Sequence, residues 1–77
     1  MTWQPSSIIP AIGLEAVYGY LGQPPVCRAP IVAFLVERAN GHAAYRPLRS
    51  EGDTLVLAAQ YPPDGVDAPL LEIEAAP

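Results

Sequence analysis

The 77-residue chain contains no lysine, one cysteine (Cys27) and one histidine (His42), and each shortage closes off a class of function. Without lysine, only Arg28, Arg38, Arg46 and Arg49 stand against eight carboxylates, for a net charge of −4. Binding to nucleic acid, which needs many basic groups to neutralise phosphates, is not expected. A single cysteine forms no disulfide within the chain. Cys27 and His42 also fall short of the four ligands that a structural zinc site takes, so neither metal nor cofactor is expected. No run approaches the ~18–20 apolar residues that span a bilayer. Met1 to Pro10 lacks the basic start and apolar run of a signal peptide. With the lone cysteine, these features point away from a membrane and to a reducing cytoplasm.

Catalytic signatures are absent as well. The chain holds no GxGxxG, phosphate loop, HExxH, GxSxG or paired CxxC, and at this length that silence argues against an enzyme. His42 follows an Asn-Gly pair directly, where a general base finds neither nucleophile nor orienting partner, so it reads as a solvated turn residue. Cys27 has the cation Arg28 beside it, but neighbours along a strand point to opposite faces, so it reads as a small buried apolar residue.

What is present is apolar: 51% of residues are hydrophobic and 16% charged, a composition that folds. The length accommodates one domain, residues 1–77. A core of this size rarely supplies more than ~3–5 kcal/mol. Ten prolines restrict the unfolded chain, and self-association is the other available source of stability, so a homo-oligomer, most simply a dimer, is expected.

Hydrophobic patterning is that of strands. Ile12, Leu14, Ala16, Tyr18 and Tyr20 alternate with Gly13, Glu15, Val17 and Gly19, a period of two with one buried face. Gly22 to Pro25 cannot continue a ladder and forms a loop. Ile31 to Val36 is an unbroken apolar run ending in Glu37 and Arg38, expected to be the most deeply buried strand. Asn40-Gly41 is the residue pair of a type I′ hairpin turn, which sets Val36 opposite Tyr45, Leu35 opposite Arg46 and Phe34 opposite Pro47. Val32, Phe34, Val36 and Tyr45 then share an apolar core face, while Glu37 and Arg46 lie diagonally. Ala43 to Arg49 is a third strand, in which Pro47 marks an edge or a bulge. After a turn at 50–53, Thr54 to Tyr61 returns with Leu55, Leu57, Ala59 and Tyr61 on one face. Pro62 to Gly65 is a second rigid loop, Leu70 to Glu74 a closing strand, and Ala75 to Pro77 a frayed end. The fold class is therefore mainly β: a small SH3-like barrel or a strongly twisted antiparallel meander of four to five strands.

Trp3, the run Ile9-Pro10-Ala11-Ile12-Gly13 leading into Ala16-Val17-Tyr18, and Pro30 to Val36 followed by a tight turn resemble small uncharacterised proteins encoded by phages and prophages. The resemblance implies a phage accessory protein and supplies no site residues.

The side chains best suited to binding are aromatic and cationic. Trp3, Tyr18, Tyr20, Tyr45 and Tyr61 offer flat apolar surface with polar tips, suited to ligand stacking, to a protein interface or to the core. Arg28, Arg46 and Arg49 add planar donors that grip phosphate or carboxylate. The expected function is thus a non-enzymatic binding module. In one form it sequesters a small anionic or nucleotide-like ligand to counter host defence, through Arg46, Arg28, Arg49, Tyr45, Tyr18, Tyr20 and Trp3. In the other it is a protein-interaction module that blocks or scaffolds a host or phage protein. Ligand capture requires Arg and Tyr to converge on a concave site, whereas protein interaction requires an exposed apolar patch or an open strand edge.

Overall fold

The structure, a computed structural model, describes the backbone of residues 4–77 and the side chains of residues 7–77. Five antiparallel strands form one sheet: β1 (Gln4–Tyr18), β2 (Cys27–Ala39), β3 (His42–Glu51), β4 (Thr54–Leu57) and β5 (Leu70–Ala75). Their order in space is β4-β3-β2-β1-β5. The first four make the meander that the turn spacing predicts, and β5 returns to the far side of β1. The sheet is not closed into a barrel, because β4 and β5 remain its two outer strands. Among the described residues no helix is long and apolar enough to cross a membrane.

The hairpin between β2 and β3 follows its sequence signal. Asn40 and Gly41 take φ of 49° and 79°, and the register sets Ala39 opposite His42, Val36 opposite Tyr45 and Phe34 opposite Pro47. At the next turn Gly52 alone is left-handed, at φ 60°, which matches a type II′ turn closed by Glu51 and Thr54.

Three expectations are corrected. β1 begins at Gln4, well before the alternating stretch, because the prolines at 5 and 10 are tolerated on a strand whose outer side is unpaired there. Ile12 is 94% exposed rather than buried: β1 bulges between Pro10 and Leu14, where Gly13 adopts φ 76°, and the bulge turns Ile12 outward. β4 stops at Leu57 instead of reaching Tyr61, since the amides of Gln60 and Tyr61 both donate to the Leu57 carbonyl and curl the chain into a turn. Ala58 is buried there and Tyr61 is exposed.

The core gathers around Ala16, Tyr18, Ile31, Ala58 and Ala68, with Leu14, Phe34, Val66, Leu70 and Ile73 packed against it. Residues 58–69 cross over the β1 and β2 side chains to build it. Among the described residues, five of the ten buried apolar residues are alanines (Ala16, Ala33, Ala39, Ala58 and Ala68), so each buries little area. Ten larger apolar side chains among the same described residues, including Ile8, Leu21, Tyr45 and Leu55, are meanwhile exposed. Small residues inside and large ones outside make a thin core and a surface suited to contact.

Candidate functional site

The arginines do not converge. Arg28 donates to Glu15 at 2.7 Å and also to Glu74, bridging carboxylates on β1 and β5. Arg46 pairs with Glu37, the diagonal partner that the hairpin register dictates. Arg49 is buried, with Nε 2.7 Å from the Tyr61 carbonyl oxygen and Nη2 3.0 Å from that of Pro62; Glu51 lies 3.5 Å away. Its fork pins the loop after β4 to β3, a structural use of the donors that anion binding would have required.

The tyrosines separate in the same way. Tyr18 is fully buried and its hydroxyl donates to the Ala58 carbonyl at 2.7 Å. Burial pushes that hydroxyl above the ordinary tyrosine range, and the Arg49 guanidinium opposes the shift. Tyr20 is half exposed and donates to the Asp67 carbonyl at 3.2 Å. Tyr45, expected on the core face, is 59% exposed, on the part of β3 with which no described strand pairs on the outer side. Trp3 lies outside the described residues. Cys27 is half-buried against the core and His42 is exposed beside its turn. Among the described residues, no three His, Cys, Asp or Glu side chains form a group that could hold a metal ion.

Tyr45 and Arg46 are the two predicted residues that the fold brings together at a concavity. With Pro47, Leu57, Ala59 and Gln60 they line a shallow groove of about 250 Å³. This is below the ~300–1,000 Å³ usual for a small-molecule pocket, and the groove is open along one side.

That side is a strand edge. β4 pairs with β3 only from Leu48 to Glu51, with one further bond from the Ala58 amide to the Pro47 carbonyl, so no described strand lies along residues 42–46. In a two-residue hairpin, His42 exchanges both bonds with Ala39, and pairing then alternates along the strand. Ala44 and Arg46 therefore point their main-chain groups at β2, while Ala43, Tyr45 and Pro47 point theirs outward. Pro47 occupies an outward position at which its missing N–H is not needed. Ala43 and Tyr45 each present an N–H and a C=O to open space.

Among the described residues the outer side of β4, only four residues long, and that of β5, which carries Glu72 and Glu74, are also unpaired, and both short length and charge blunt an edge. A further open edge is residues 4–12 of β1, opposite the span that β5 leaves uncovered. It is guarded by the prolines at 5 and 10 and by a bulge at each, features that blunt an edge against pairing. The β3 edge has no such guard before Pro47.

Ala43, Leu57, Ala59 and Gln60 are not among the binding residues expected from the sequence, where Leu57 and Ala59 count only as strand residues. A strand read as far as Tyr61 would have covered the edge, and its early end is signalled only by the short side chains of Ala58-Ala59 before Pro62-Pro63. No protein-family model, curated protein or solved structure matches the chain.

Proposed function

We propose that this chain is a protein-interaction module, without catalytic activity, that works by adding a strand to the free edge of β3. The observation that carries this reading is the unguarded edge at Ala43 and Tyr45, beside a groove able to take one side chain or a turn. Strand addition uses these two features together: main-chain bonds supply affinity and the adjoining pocket supplies selectivity. In the phage setting suggested by the sequence resemblance, such a module would block or scaffold a host or phage protein. Capture of a small anion has less support, because Arg28, Arg46 and Arg49 are already engaged by carboxylates or carbonyls.

Selection of peptides on the purified protein, followed by amide exchange, tests the reading. Selected peptides should bind extended and slow exchange at Ala43 and Tyr45. Calorimetric titration with mononucleotides and cyclic nucleotides tests the alternative. Binding weakened by roughly 1.5–3 kcal/mol in Arg46→Ala would favour the anion site instead.

A further inference from the structure

We infer that the strand accepted by β3 is β3 of a second copy of this chain, joined about a two-fold axis at Ala44. This inference rests on reading the β3 edge as an interaction surface, and it names the partner.

The register follows from which main-chain groups face outward. Two-fold antiparallel pairing matches residue x with a residue at a fixed sum, and outward residues must meet outward residues. Setting Ala43 opposite Tyr45 of the second copy uses every free outward group on residues 42–46, for about four main-chain hydrogen bonds. Shifting so that Tyr45 faces its own copy sets Pro47 against Ala43, where Pro47 has no proton to donate and its carbonyl already accepts from Ala58. Shifting the other way sets Tyr45 against Gly41, which is committed to the turn at φ 79°. One register remains.

That register suits the side chains. At the axis Ala44 faces Ala44, and a methyl permits the closest approach. Tyr45 covers Ala43 of the second copy, and Arg46 lies across from His42 rather than from another arginine. Residues 42–49 contain no carboxylate, so on a chain of net charge −4 this stretch is one where two copies meet without facing acidic groups. Beyond Arg46 the hairpin tip of the second copy, Asn40-Gly41, reaches Pro47 and the Ala59-Gln60 turn. Ala58 already pairs with Pro47 there, so in this register the tip leaves the plane of the sheet, towards the groove that Pro47, Ala59 and Gln60 line. The alanine-rich core supplies the need: joining two sheets into one continuous sheet adds burial that a single copy lacks.

In a Cys27→Ala background, Ala44→Cys tests the axis. Cysteines opposite one another at a non-hydrogen-bonded antiparallel pair have Cα atoms about 4.5 Å apart, within disulfide reach. Under mild oxidation Ala44→Cys should form a covalent dimer at least about tenfold faster than Ala43→Cys, whose two copies are offset beyond the ~7 Å limit. Equal rates would overturn the register. Sedimentation of the wild type should give twice 8.2 kDa, and Tyr45→Pro, which removes one outward N–H, should sediment at 8.2 kDa. A monomeric wild type overturns self-pairing while leaving the edge free for another protein. A dimer unaffected by Tyr45→Pro overturns both the self-pairing and the strand-addition reading.

Discussion

The Tyr18 hydroxyl and the Ala58 carbonyl oxygen lie 2.7 Å apart, joining β1 to the crossing segment forty positions along the chain. Ala58 is itself fully buried and donates its amide to Pro47, so this bond fastens the segment where β4 ends. In Tyr18→Phe the buried carbonyl loses its donor. The expected cost is about 1–3 kcal/mol, read from the denaturant midpoint.

The same tyrosine gives a dependence on alkaline pH. Burial holds its hydroxyl above the ordinary range, so the folded chain keeps the proton to a higher pH than the unfolded chain does. Its contribution is fully present below the unfolded value of about 10 and declines as pH rises from there through the folded value. Urea unfolding above about pH 9 should show this decline in the wild type and a shallower one in Tyr18→Phe.

Arg49 holds the following loop by two carbonyls, those of Tyr61 and Pro62. Arg49→Leu removes both bonds from a buried position and should lower stability by about 2–3 kcal/mol. Arg49→Lys should recover only part of this, because an ammonium lacks the planar fork. Thermal unfolding of the two variants side by side checks the difference.

Glu74 behaves in the opposite sense with pH. Hydrogen bonding to Arg28 holds its carboxyl below the ordinary glutamate range, so its contribution is present above the unfolded value and is lost as pH falls through the lower folded one. Replacement by Gln should flatten the acid side of the stability profile between about pH 5 and 3, leaving neutral pH with a small loss.

Gly41 tests the hairpin that sets the β3 register. At φ 79° a β-branched residue is strained, and Gly41→Val should cost about 1–3 kcal/mol of stability. An unchanged melting temperature would show that the turn does not depend on this conformation.

Most of the strand framework was legible because local chemistry dictates it. Asn40-Gly41 specifies a turn whose register runs seven residues in either direction without interruption, down to Ala33 opposite Leu48. The alternation through Leu14, Ala16 and Tyr18 marked a buried face, but Val17 on the opposite face is buried too and Tyr20, at the end of the series, is half exposed. The misread positions are those decided at a distance. Nothing near Ile12 announces that two residues must loop out to keep pace with β2. Tyr45 looks like a core residue until it is known that no described strand pairs there on the outer side of β3. The arginines were legible as recognition groups by type, but whether each finds a carboxylate at home depends on folded partners far along the chain, as Glu74 is for Arg28. The edge itself is a property of main-chain groups, which residue type barely records.

The bulge between Pro10 and Leu14 has a consequence for length variation. Four steps along β1 there match two along β2, so the surplus is two residues, an even number. Strand faces repeat every second residue, and an even surplus leaves the inward and outward sets of β1 in phase on its two sides. Removing Ile12 and Gly13 together should therefore draw the ladder straight and keep Leu14, Ala16 and Tyr18 in the core. Removing either alone would turn the preceding strand over, exchanging the face shown by Ile8 for that shown by Ile9. Insertions and deletions at this point should be accepted in pairs and rejected singly, a parity rule that a panel of length variants would display directly.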